Sequence, residues 1–93
     1  MIEFSGDRHF IACPMVMDHA QGLLNAALPA VQGKSVIFDL SRIEEADSSA
    51  LAVMLGLVRE AQAKGVSMSF VEVPQGVVTL ARVYGIDEFL ALV

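Results

Sequence analysis

The residues with the widest chemical options stand together in Glu44-Glu45-Ala46-Asp47-Ser48-Ser49, where three carboxylates precede two hydroxyls. A hydroxyl just ahead of an apolar segment has two uses. It can help to start a helix, with Asp47 or Ser48 accepting hydrogen bonds from the first free amides. It can also accept a phosphoryl group, because the helix dipole and those amides favour an anion at that end. Asp47 and the two glutamates oppose such a charge, so modification of Ser48 changes a surface more than it stabilises the fold. Ser48 is then a switch and not a catalyst.

No second group joins it to make a catalytic set. His9 falls in an extended run and His19 at a helix start, and no ligand spacing links them to the acids. Cys13 is the single cysteine, so the chain itself offers no disulfide and no thiolate metal site. At the end of an apolar strand it reads as a buried, inert thiol. Met15, Met17, Met54 and Met68 read as fillers of core gaps. Gly-x-Ser-x-Gly, Gly-x-Gly-x-x-Gly and Gly-x-x-x-x-Gly-Lys-Ser/Thr are all absent from the sequence. The expectation is a chain that is not an enzyme and needs no cofactor.

Composition narrows the class further. The 93 residues are 55% hydrophobic and 18% charged, which excludes a disordered chain and fits one small domain over residues 1–93. A formal charge of −5 comes from 11 acids against 6 bases. The bases Arg8, Lys34, Arg42, Arg59, Lys64 and Arg82 are scattered, so nucleic acid is not an expected partner. The longest fully apolar run, Ala50 to Val58, is far short of the ~20 residues that cross a bilayer. No secretory leader is visible at the N-terminus, so the expected location is cytoplasmic, with no direct membrane insertion.

These residues need elements to hold them. Ile2 to Ser5 alternates apolar and polar, Gly6-Asp7 offers a turn, and His9 to Cys13 runs extended, which predicts a hairpin ended by Pro14. Asp18 is a candidate cap for a helix over His19–Leu28, which Pro29 ends. Ser35 to Leu40 predicts a central strand, or one covered on both faces. Ser48 to Lys64 predicts the main helix, ended by Gly65. Met68 to Val73 predicts a strand, and Pro74 opens a helix whose stripe is Val77, Leu80, Ala81 and Tyr84. Asp87 to Leu92 makes a last short turn. The order β-β-α-β-α-β-α implies an α/β domain with a mixed, mostly parallel four-stranded sheet and its helices on one side.

Helix geometry extends the candidate surface beyond Asp47, Ser48 and Ser49. At about 100° per residue, Leu51, Met54, Leu55, Val58, Ala61 and Gln62 share an arc expected to face the sheet. Val53 and Leu57 then project away and require another cover. The C-terminal helix, a partner protein and a second copy in a homodimer all remain open. Thr79, Arg82 and Val83 point off the C-terminal stripe and extend the same surface.

At these residues the chain resembles STAS domains. Val36-Ile37-Phe38-Asp39-Leu40-Ser41, followed by Ile43 and then Ala46-Asp47-Ser48-Ser49-Ala50-Leu51-Ala52, is similar to that family's strand and helix-opening segment. Val16-Met17-Asp18 is similar to its earlier hydrophobic-x-Asp. Val77 to Ile86 is most similar to the MlaB-type members. Ala50 and Met15 depart from the glycines common in the family. The resemblance implies an accessory subunit that binds and regulates the ATPase subunit of an ABC transporter for phospholipids, maintaining outer-membrane lipid asymmetry. It places the chain in the cytoplasm or peripherally at the inner membrane, with Ser48 on the ATPase-binding surface. STAS domains also include anti-sigma-factor antagonists, and that alternative makes Ser48 the phosphate acceptor of an anti-sigma-factor serine kinase.

Overall fold

The structure, a computed structural model, describes residues 1–90 and Leu92. Its sheet has the strand order β1-β2-β3-β4, formed by Ile2–Ser5, Arg8–Ile11, Ser35–Asp39 and Ser67–Val71. β1 and β2 pair antiparallel, with Phe4 opposite His9, while β2–β3 and β3–β4 are parallel. Helices α1 (Met17–Ala27) and α2 (Ser49–Lys64) fill the two crossovers, and α3 (Gln75–Val83) follows β4. The expected mixed α/β sheet is therefore present.

Strand β3 is central, and its alternation decides which side of the sheet is buried. Val36 and Phe38 are buried and join Ile11 and Phe70 in the core beneath the helices. On the opposite face lies Asp39, only 3% exposed, with the Arg8 guanidinium on its Oδ2 at 2.8 Å. The Ser41 amide donates to Asp39 Oδ1 at 2.7 Å. Burial by itself raises the Asp39 pKa, but the hydrogen bonds from Ser41 and Arg8 outweigh it and hold the carboxyl below its ordinary value. The apolar run of β3 thus reflects a central position with one helix-covered face.

Several boundaries move for tertiary reasons. β2 ends at Ile11 and not at Cys13, but Met15 resumes its line beyond Pro14 and bridges to Ala46. Two hydrogen bonds fix that bridge, Met15 N–H to Glu45 O at 2.9 Å and Asp47 N–H to Met15 O at 3.1 Å. Helix α1 begins at Met17, two residues before the expected start, and Asp18 lies in its first turn without capping it. β4 ends at Val71 because Glu72 takes a left-handed φ of 56°. The expected turn over Asp87–Leu92 is a 3-10 turn at Asp87–Phe89; Ala91 lies outside the described residues.

The main correction concerns α2. Val53 is 2% exposed and Leu57 is fully buried, so neither belongs to an outer surface. Together with Ala50, Met54 and Ala61 they form the inward stripe, rotated from the expected arc. Leu55 and Val58, expected to face the sheet, are only half-buried. The reason is the second layer. α1 lies against α2 so closely that a Cβ on Gly56 would sit 3.0 Å from Leu24 Cδ1. Cover from a neighbouring helix buries the Val53–Leu57 side as the sheet buries the rest. Gly65 ends the helix with φ 67°, and its N–H reaches the carbonyls of Ala61 and Gln62.

Leu57→Ala should therefore cost about 2–5 kcal/mol, as a fully buried leucine does. Leu55→Ala should cost well under half as much. Urea unfolding midpoints of the two variants measure the difference.

Candidate functional site: the start of α2

The loops that follow β2, β3 and β4 all leave the carboxyl ends of parallel strands, the edge where open α/β sheets carry their sites. Asp47 joins two of these loops. Its Oδ2 accepts the Met17 N–H at 3.2 Å, at the start of α1. Its Oδ1 accepts the Ser49 N–H at 2.8 Å and also the Ser49 hydroxyl. The Asp47 carbonyl accepts the Ala50 N–H at 3.0 Å. One side chain thereby satisfies free amides at the starts of two helices. Hydrogen bonds from the Ser49 hydroxyl and amide lead in holding its carboxyl below the ordinary value. A slight burial opposes them, and the Met17 amide assists.

Ser48 is thereby released. Its backbone is already helical, at φ −62° and ψ −18°, and its side chain makes no cap hydrogen bond. The residue is exposed at the head of α2. Of the two local readings of Asp47-Ser48, the capping work belongs to Asp47. Ser49 is half-buried and committed to Asp47.

Met17 is the residue that sequence reasoning missed. It is 75% exposed, although expected in the core, and its amide is tied to Asp47 beside Ser48. Its spacing from Leu24 would place it on the packed flank of α1. Helical side chains lean toward the N-terminus over the preceding turn, and the first residue of a helix has no preceding turn to cover. The other expected core methionines, Met15, Met54 and Met68, are buried or half-buried.

On α3, Thr79, Arg82 and Val83 are exposed as expected. Among the described residues, no hydrogen bond or ion pair joins them to the Asp47–Ser49 segment. Thr79 instead accepts from Gln75 one turn earlier, at 3.4 Å. Val53 and Leu57 drop out of the site as core residues. His9 packs between Phe4 and Phe38, with ring centroids at 4.6 and 5.8 Å, and burial lowers its pKa. Burial likewise raises the pKa of the half-buried Cys13 thiol. Among the described residues, no group of three or more His, Cys, Asp or Glu is placed to hold a metal ion. No helix there is long and apolar enough to cross a membrane.

The family model described as Mlab, STAS domain matches residues 13–93, a span that begins just before the Met15–Ala46 bridge and contains the whole Asp47 junction. The chain belongs to the MlaB-type STAS family. Solved structures show the same fold in STAS domains at low identity. The anti-sigma factor antagonist SpoIIAA in its unphosphorylated form is 17% identical with a TM-score of 0.70, over 100% of this chain and 84% of that one. An anti-sigma-factor antagonist (STAS) domain protein from Planctomyces limnophilus is 18% identical with a TM-score of 0.75, over 99% and 86%. The phosphorylated form of SpoIIAA from Bacillus is 13% identical with a TM-score of 0.66, over 100% and 87%. No curated protein matches the sequence. STAS domains interact with partner proteins.

Ser48→Ala should leave stability within about 0.5 kcal/mol of the parent, as for a surface residue outside any cap. Asp47→Ala should lower the melting temperature, because the start of each helix loses its acceptor. A depressed carboxyl pKa in the folded state adds stability above the unfolded value of about 3.9, and that stability is lost as pH falls through the lower folded value. The melting temperature should therefore hold steady above about pH 5 and drop below about pH 4, with a shallower drop in Asp47→Asn.

Proposed function

We propose that this chain is the non-catalytic accessory subunit of an MlaB-type ABC transporter for phospholipids, and that it binds and regulates the transporter's ATPase subunit. The observation that carries this reading is the exposed Ser48 hydroxyl at the head of α2, left free of capping because the Asp47 carboxylate accepts from Ser49 and Met17. The MlaB-type match over the segment that builds this junction supports the choice of partner.

The docking surface is centred on Ser48, Asp47 and Met17. Met17 supplies flexible apolar area, which suits a protein interface. Ser48 supplies a donor and acceptor with no internal obligation. Thr79, Arg82 and Val83 on α3 extend the surface where the ATPase reaches that far. Binding through this surface would keep the chain in the cytoplasm or at the inner membrane through the complex. Residues 1–93 would act as one domain in that role.

The second reading, an anti-sigma-factor antagonist phosphorylated on Ser48 by a serine kinase, draws on the same free hydroxyl. Two of the similar structures are of SpoIIAA, an anti-sigma factor antagonist, one in its unphosphorylated and one in its phosphorylated form. Electrostatics weighs against it here. A phosphate on Ser48 would stand beside Asp47 and near Glu44 and Glu45, with no arginine or lysine among the residues of that loop beyond Arg42.

Purified chain and the ABC-type ATPase from the same cell should form a complex measurable by calorimetry. Ser48→Glu and Met17→Asp should each weaken it about tenfold or more, near 1.4 kcal/mol, with melting temperatures unchanged. A complex indifferent to both substitutions rejects the surface. Capture of a serine kinase that phosphorylates Ser48, with no ATPase binding, rejects the transporter reading in favour of the antagonist.

A further inference from the structure

The flank of α2 that the sheet leaves uncovered faces the 3-10 turn at Asp87–Phe89, and the two enclose an open cleft. Leu55, Val58, Arg59 and Gln62 form one wall, at successive turns of the helix; Glu88 and Phe89 form the other. The cleft holds about 360 Å³ and continues into a second of about 250 Å³ that reaches Val66 and Met68. Phe89 stands beside it 62% exposed, an aromatic ring outside the core at the mouth of a recess lined by apolar and polar side chains alike. Arg59 and Glu88 are both exposed, and neither takes part in an ion pair among the described residues.

We infer that this face binds a second copy of the same chain through a two-fold contact. A two-fold interface brings one patch against itself, so the patch must contain each feature together with its complement. This one does. It has an exposed ring and a recess with Leu55 and Val58 in its wall, a base and an acid that pair with nothing among the described residues. Phe89 of each copy enters the recess lined by Leu55 and Val58 of the other. Arg59 of each copy meets Glu88 of its partner, and the crossed pair fixes the orientation.

Other exposed apolar groups are placed differently. Met17 belongs to the surface proposed for the ATPase, and Val83 and Tyr84 stand at the end of α3, outside the lining of the cleft that Glu72, Val73, Val78 and Arg82 share there. Phe4 packs against His9 with the two rings tilted. The cleft also lies on later turns of α2 than Ser48, so self-association does not depend on the proposed ATPase contact.

Sedimentation equilibrium of the purified chain from about 1 μM to about 1 mM spans the relevant affinities. The wild-type chain should pass from monomer to dimer within that range. Phe89→Asp should raise the dimer Kd at least tenfold while circular dichroism and melting temperature stay unchanged, since the ring is exposed. Arg59→Glu and Glu88→Arg should each weaken the dimer, and the two together should restore most of the affinity. A chain that stays monomeric to 1 mM overturns the proposal and assigns the cleft to a different protein. So does a dimer that ignores Phe89→Asp, or a double reversal that recovers nothing.

Discussion

The carboxylate of Asp47 is the constraint on which the functional end of this molecule depends. Two helices begin at the same sheet edge, and each brings free amides that need acceptors. A local cap at each start would satisfy them separately and leave the helices uncoupled. Here one side chain accepts from Met17 at the head of α1 and from Ser49 at the head of α2. The Met15–Ala46 bridge directly behind it brings the two loops within reach. The consequence for function is that the Ser48 side chain has no capping work to do and remains exposed, while its carbonyl accepts the Leu51 N–H.

The strand behind that junction is fixed by a second carboxylate. Asp39 is buried on the side of the sheet away from the helices, a position that would be costly for an isolated charge. Arg8 from β2 and the Ser41 amide from the following loop supply what burial removes. The pair ties β2 to β3 and directs the chain out of β3 toward Asp47. Arg42, three residues beyond Asp39, lies over the Phe10 ring at 4.0 Å and pairs with Glu3, so the same face is held by charge and aromatic contact. The two aspartates of the segment from Asp39 to Asp47 therefore act in series: one anchors the exit of the strand, the other the entry of the helix.

Helix α2 illustrates how far a one-dimensional pattern reaches. Its sequence is apolar around more than half its circumference, so period alone does not locate the inward side. Gly56 decides it, because the absence of a side chain lets Leu24 of α1 close on that flank. Burial then falls on Val53 and Leu57, and the apolar surplus moves to Leu55 and Val58. That displaced surplus, with Phe89 beside it, is the face inferred to bind a second copy.

The sequence by itself determined the element order, the central strand, the ends of α2 and the segment Asp47-Ser48-Ser49 as the place of interest. These follow from local causes: alternation, helical period, and stop signals such as Pro14 and Gly65 act within a few residues of themselves. Tertiary structure alone decided which residue of that segment caps and which is free, since the Met17 amide that Asp47 accepts lies 30 residues away. It also decided that Met17 is exposed and Leu57 buried. Exposure depends on what a distant part of the chain lays over a side chain, and no local periodicity contains that information.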